Sequence, residues 1–255
     1  MTHWQTELQG FVEARVVPDA RVVVLTGAGI SAESGIPTFR GQEGYWTVGS
    51  TVYQPQEMAT RAKFEEMPLE VWRWYLYRRA VCHAAEPNAA HHALARLEEH
   101  KADKFWLVTQ NVDNLHLRAG NTQQRTYEIH GNIGMMRRPA PDYDEIIEAP
   151  LPPEGFGRDN EIPESFLPQL HCPRTKTLCR PHVLWFDEYY EESLFRSDSA
   201  MQAVANCDLL ISIGTSGTTS LPTHIVALAT KNNIPLIDVN PRTNPFGDIA
   251  HIYER

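Results

Sequence analysis

Asn111 and Asp113 stand two apart just beyond an apolar run, Lys104 to Thr109, and His130 follows a second run, Arg125 to Ile129. An amide, a carboxylate and an imidazole at strand ends can serve a polar ligand. The carboxylate and amide bind its hydrogen-bonding groups, and the imidazole acts as a base with an ordinary pKa near neutrality. Asp113 also has a simpler local use. It would cap the helix read from the run Asp113 to Ala119 (DNLHLRA), accepting from backbone N–H groups. Most of the 11 histidines must be structural or exposed, and His91, His92, His116 and His182 are read so.

Upstream, Gly27-Ala28-Gly29-Ile30-Ser31-Ala32 follows the β-branched run Arg21 to Thr26 and fits G-x-G-x-x-G/A. Glycines there permit a tight turn and a close backbone approach, so that a pyrophosphate can sit on a helix N-terminus. An ordinary strand-to-helix turn would use the same residues. The acidic residue that usually holds the adenine ribose, about 20 positions on, is missing.

These groups need elements to hold them. Helical spacing of Trp4, Leu8 and Phe11 predicts an opening helix over residues 4–17; a long aromatic-rich helix follows over 67–86 and another over 88–102. Later expectations are regular structure over 183–186, a helix near 191–204, a strand over 208–213, a helix near 223–232 and a strand over 235–239. Residues 136–168, rich in Pro and acidic side chains, read as a long loop or irregular lobe. Alternating strands and helices imply an α/β fold, a Rossmann-like parallel sheet with a smaller inserted helical or irregular lobe.

The chain has 255 residues, 42% hydrophobic and 22% charged, an ordinary globular composition. Its net charge of −9 argues against a basic face for nucleic acid or anionic membrane, so neither partner is expected. No signal peptide and no apolar stretch of membrane-spanning length is visible, and four cysteines do not form a secreted disulfide framework. The cytoplasm is the expected compartment.

The motifs together resemble one family. The run Gly27 to Gly41, GAGISAESGIPTFRG, is similar throughout to the sirtuin signature. Thr109-Gln110-Asn111-Val112-Asp113 resembles the family's second motif and His130-Gly131-Asn132 its third. Gly214-Thr215-Ser216 and Asn240 resemble its late NAD contacts, and Arg180 to Phe186 the segment before its substrate-binding strand. Five motifs in the right order, over about residues 20–245, are a far more specific signal than any one alone.

The resemblance implies a single catalytic domain over residues 1–255. Its core would span about 1–36, 101–132 and 183–255, and its small lobe 37–100 and 133–182. It implies an NAD-dependent protein-lysine deacylase that consumes NAD as a co-substrate. In such an enzyme the acyl oxygen of a modified lysine attacks the ribose carbon as nicotinamide leaves, giving an imidate. His130 would then activate a ribose hydroxyl, and the products are lysine, nicotinamide and O-acyl-ADP-ribose. Asp113 would accept from the carboxamide and Asn111 order water near the ribose. Gly27, Ala28, Gly29, Gln110, Gly214, Thr215, Ser216 and Asn240 would hold NAD, with Phe39 over the reacting ribose and Arg40 toward phosphate. Val183, Trp185 and Phe186 would meet an acyl-lysine protein or peptide.

On the helix over 67–86, Val71, Tyr75, Arg78 and Cys82 share one face. A guanidinium on that stripe is costly to bury without an anion, and Tyr75 with Arg78 could grip a carboxylate. The pair resembles the sirtuin branch that prefers succinyl, malonyl or glutaryl lysine. The plainer alternative is that Arg78, like Arg79, reaches water from the helix edge.

The chain also departs from the family. Only Cys172 and Cys179 remain of the usual zinc cysteines, and two thiolates do not close a tetrahedral site. His171 and His182 could complete one, but His182 belongs to the substrate motif, so no metal is expected. The Pro-rich 139–168 segment would replace it by packing. Asp187 stands where glycine is usual, where a side chain could alter or block pairing with a peptide. The family's last helix, which helps cover adenine, is read as short or missing after Asn240. Two other readings share the bond cleavage or the binding alone: NAD glycohydrolase or ADP-ribosyl transfer, and a non-catalytic NAD-binding module.

Overall fold

The computed structural model describes residues 3–37, 46–139 and 145–254. Eleven strands are formed: β1 (Val22–Thr26), β2 (Trp46–Val48), β3 (Thr51–Tyr53), β4 (Phe105–Thr109), β5 (Thr126–Glu128), β6 (Gly131–Arg137), β7 (Ile146–Glu148), β8 (Arg180–Val183), β9 (Leu209–Ile213), β10 (Leu236–Val239) and β11 (Ile252–Glu254) among the described residues. The helices are α1 (His3–Arg15), α2 (Pro55–Met58), α3 (Arg61–Glu66), α4 (Pro68–Ala84), α5 (Ala89–Lys101), α6 (Leu115–Ala119), α7 (Glu192–Phe195), α8 (Ser197–Ala205) and α9 (Ser220–Lys231).

Six strands form an all-parallel sheet in the order β11-β10-β9-β1-β4-β5. Counted along the chain and read from the β5 edge, that is 3-2-1-4-5-6, the order of a doubly wound dinucleotide-binding sheet. The fold is α/β and Rossmann-like. Its order reverses between β1 and β9, and ligands of such sheets bind beyond the carboxyl ends of the strands at that point.

All five residues of β1 are buried, which is why it reads as an unbroken apolar run rather than an alternating one. Val23 and Leu25 pack with Val204, Ile225 and Val226 of α8 and α9, while Val22 and Val24 pack with Leu94 of α5 and with Phe105 and Leu107. The second core joins Trp72, Trp74 and Leu76 of α4 to Ile133, Met136, Leu170, Cys172 and Trp185. It underlies a small antiparallel sheet of order β7-β6-β8.

Several expectations change in detail. The helix expected over 191–204 is two, α7 and α8, because Arg196 between them takes a left-handed conformation (φ 51°). Strand β8 ends at Val183, where the sequence suggested regular structure over 183–186. The stretch read as irregular carries the end of β6, then β7 and a 3-10 helix over Glu164–Leu170. The hairpin of β2 and β3, the short helices α2 and α3, and β11 had no sequence signal strong enough to call them. Strand β11 extends the sheet after Asn240, where the family resemblance implies a short or missing helix.

Candidate functional site

The glycine turn meets the end of β9 at the reversal point. The N–H of Gly27 donates to the Ile213 carbonyl at 3.0 Å, and that of Gly29 to the Gly214 carbonyl at 2.8 Å. A Cβ at Gly27 would lie 2.8 Å from the Gly214 oxygen, and one at Gly29 would lie 2.7 Å from the Gly214 Cα. Gly214 itself has φ +64°, and its Cβ would fall 2.4 Å from the Ile30 nitrogen. These glycines therefore let two backbones interlock. The chain leaves the turn as a 3-10 helix, Ala28–Ser34, ended by Gly35 at φ 81°, not as the regular helix start that the pattern suggested. Phe39 and Arg40 lie outside the described residues.

Ser31, absent from the predicted set, is buried at the centre of the next cluster. Its hydroxyl donates to Asp113 Oδ2 at 2.7 Å and accepts from the Asn111 side-chain amide at 3.1 Å. Asp113 Oδ1 accepts from the Leu115 N–H at 2.9 Å, so the simple capping role is also filled, by the other oxygen. Asn111 and Asp113 are both buried, at 8% and 6% exposure. Each carboxylate oxygen keeps a lone pair able to accept from a further donor. Behind them, His116 Nε2 lies 3.0 Å from the Thr26 hydroxyl, and burial pushes its pKa down to about 3.

Gln110 links the turn after β4 to the loop after β9. Its amide donates to Thr215 Oγ1 at 2.8 Å and to the Thr26 carbonyl at 3.2 Å, and its oxygen accepts from Thr219 at 2.9 Å. The Asn240 amide donates to the Thr215 carbonyl at 2.6 Å, and Asn244 donates to the same oxygen at 3.2 Å. Ser216 is exposed beside this, its hydroxyl 2.8 Å from that of Thr218. The predicted Gln110, Gly214, Thr215 and Asn240 are thus brought together; Thr219 and Asn244 were missed.

His130 sits where the chain passes from the large sheet to the small one. The next residue, Gly131, has φ +83°, and a Cβ there would stand 2.1 Å from the His182 oxygen. The His130 Nδ1 lies 3.1 Å from the Gln110 carbonyl and Nε2 2.9 Å from the Tyr190 hydroxyl. Burial lowers its pKa to about 4 against the opposing pull of the Gln110 carbonyl, so the ring is neutral at pH 7. A neutral imidazole can accept a proton. His182 behaves as the sequence suggested, buried and stacked on Phe195 at 5.4 Å.

Tyr75 is buried, and its oxygen accepts from the Trp185 indole N–H at 2.9 Å. Burial raises its pKa to about 12, so it keeps its own proton to donate. Arg78 is half-buried, 5.1 Å from the Trp74 ring centroid. Arg79, expected to reach water, is instead buried and donates to the carbonyls of Ile133 at 3.2 Å and Ala149 at 2.7 Å. Main-chain oxygens supply its hydrogen bonds, and the largely exposed Glu148 carboxylate lies 4.0 Å from the same guanidinium. Val183 and Trp185 are buried, whereas Phe186 is 56% exposed, with its N–H bonded to the Ala59 carbonyl.

Asp187 has a clear use. Its carboxylate accepts from the N–H groups of Arg61 at 2.7 Å and Ala62 at 3.1 Å, satisfying the open N-terminus of α3. Among the described residues no three His, Cys, Asp or Glu side chains are grouped to hold a metal ion, and Cys172 and Cys179 are both buried and free. Among the same residues no helix is long and apolar enough to cross a membrane.

Residues 27–220 match the Sir2 family. The chain is 36% identical over 238 residues to the NAD-dependent protein deacylase of Leptospira interrogans, covering 91% of this chain and 86% of that one. It is similar to a mutant Sir2 homologue solved with 2'-O-acetyl ADP ribose, with TM-score 0.79 and 32% identity over 100% of this chain and 91% of that one. It is also similar to a Sir2–p53 peptide–NAD+ complex, with TM-score 0.75 and 27% identity over 97% of this chain and 92% of that one.

Proposed function

The chain belongs to the Sir2 family, and on that premise we propose that it is an NAD-dependent protein-lysine deacylase that prefers acidic acyl groups. One observation carries the reading of the reaction. The His130 ring is hydrogen-bonded to the Gln110 carbonyl, next to the turn where Asn111 and Asp113 are locked by Ser31, at the carboxyl ends of β1, β4 and β5 in a sheet of dinucleotide-binding order.

These residues fit NAD. The interlocked glycines leave a turn with no side chain at Gly27 or Gly29, which suits a pyrophosphate passing over it. Thr215, Ser216 and Asn240 would follow the adenosine side, and Asp113 would accept from the carboxamide. Bound NAD would supply the leaving nicotinamide and the ribose carbon that takes the acyl oxygen. His130 would accept the proton of a ribose hydroxyl at Nε2, the nitrogen not committed to Gln110. We read residues 1–36, 101–132 and 183–255 as the NAD-binding core and 37–100 and 133–182 as the lobe that closes over the acyl-lysine peptide.

Support for the acyl preference comes from α4. Tyr75 holds Trp185, a residue of the peptide-contacting segment, and retains an O–H to give to a carboxylate. The Arg78 charge acts on the same phenol, favouring its ionised form, as a group nearby must. The pair would clamp a succinyl or malonyl end through a charge-assisted contact.

The test is incubation with NAD and a succinyl-lysine peptide, an acetyl-lysine peptide or no peptide, with products followed by mass spectrometry. Succinyl-ADP-ribose well above the acetyl product, with the excess lost in Arg78→Leu, is expected. Equal products from both peptides would remove the acyl preference. Nicotinamide and free ADP-ribose formed equally without peptide would indicate an NAD hydrolase, and no nicotinamide at all a binding module.

A further inference from the structure

Both nitrogens of the His130 ring are engaged, and the second partner is a residue to which the reaction assigns no part. The Gln110 carbonyl only accepts, so Nδ1 at 3.1 Å carries the N–H. In a neutral ring Nε2 is then the acceptor, and the Tyr190 hydroxyl 2.9 Å away must donate to it. The same nitrogen is the one that would take the ribose proton. Tyr190 also belongs to the segment that carries the exposed side chains of Phe186 and Tyr189. That segment is tied to His130 twice: the Leu184 N–H donates to the His130 carbonyl at 2.9 Å, and Tyr190 reaches the ring.

We propose that Tyr190 is a positioning residue that hydrogen-bonds the basic nitrogen of His130, in the tautomer set by Gln110, and covers it until a ribose hydroxyl displaces the phenol. The proposal rests on the role of His130 given above. The phenol is half-buried, packed against the apolar core that includes Leu221 and Ile225 of α9, with Ser220 at the start of that helix acting on it as well. No charged side chain contributes to the His130 titration; burial and the Gln110 carbonyl set it, and Tyr190 is the titratable group facing the ring. A donor on Nε2 stabilises the neutral form, so its loss lets the ring protonate more easily.

Tyr190→Phe removes one oxygen and little volume. NMR titration of the His130 ring in the ligand-free protein should show its pKa raised by about half a unit to one unit. This readout is independent of the reaction catalysed, so it separates the fate of this proposal from that of the deacylase reading. In the pH profile, the acid limb of kcat/KM, which reports the free enzyme, should move up by the same amount, while that of kcat stays in place. An unchanged His130 pKa would overturn the contact. A shift in the kcat limb as well would overturn displacement, because the phenol would then still be on the ring in the ternary complex. If Tyr190 only supports the fold, the melting temperature falls and neither limb moves.

Discussion

Ser31 and Asp113, 82 residues apart in the chain, meet through a 2.7 Å hydrogen bond that joins the turn after β1 to the turn after β4. The serine oxygen accepts from Asn111 in return, and the Leu115 N–H fixes the other carboxylate oxygen. A carboxylate held from two sides keeps its orientation without help from a ligand, which is the condition for acting on a transition state without reorganisation.

Ser31→Ala should therefore harm the reaction more than the fold. A hydrogen bond to a charged group contributes about 1.5–3 kcal/mol, so kcat/KM for NAD should fall by about 10- to 100-fold. Steady-state kinetics beside a thermal melt will separate the two effects; unchanged kinetics would exclude a positioning role for Ser31.

His130→Ala should divide the reaction in two. Loss of a positioned base costs a factor on the order of 10² to 10⁴, and deacylation should drop by that much. Exchange of labelled nicotinamide into NAD should persist, because in the proposed reaction nicotinamide would leave before the base acts. An equal loss of both would place His130 in the first step.

Asp187→Ala should destabilise α3. Losing a cap costs about 0.5–2 kcal/mol, and here two backbone donors lose their acceptor. The urea midpoint should fall with little change in slope, and Asp187→Asn should recover part of it. No change in midpoint would show that water replaces the carboxylate.

Stability should decline in weak acid. His116, His130 and His182 have pKa values pushed down to about 3, 4 and 4 by burial, whereas an unfolded histidine titrates near ~6.5. Below that value the unfolded chain binds more protons, so stability is lost as pH falls from about 6.5 toward 4. Burial raises the pKa of Glu128 and Asp238, and these act the other way, softening the decline. Melting curves at pH 7, 6 and 5 measure the slope, which His116→Gln should reduce; an identical slope would remove His116 from the account.

Gly214→Ala should be the most damaging change at the glycine turn. A left-handed conformation costs a side chain about 1–3 kcal/mol, and the added carbon would strike backbone atoms of Gly29 and Ile30. A large fall in melting temperature is expected, against none or a small rise for Gly10→Ala inside α1, where nothing lies within 4 Å and alanine suits a helix better than glycine.

Much was legible in the residues themselves. β1 and β4 follow from short apolar runs buried on both faces, and α5 from Asn88, whose side chain accepts from the Ala90 N–H at 3.0 Å as a cap should. Local backbone preference and burial act over neighbouring residues, so such elements are written in consecutive positions. So were the motifs at Gly27, Asn111, His130 and Gly214. The partners of those motifs were decided by the tertiary structure. Ser31 looked like one more residue of a turn until folding brought Asp113 to it, and Tyr190 carried no mark until it met His130 across 60 residues. Arg78 and Arg79 are neighbours of one chemical type, and only the carbonyls of Ile133 and Ala149, supplied from elsewhere in the chain, buried the second. Asp187 similarly acquired its use from α3, at a separation of 126 residues. Hydrogen bonds form wherever packing brings a donor to an acceptor, and no local pattern records which distant group will arrive.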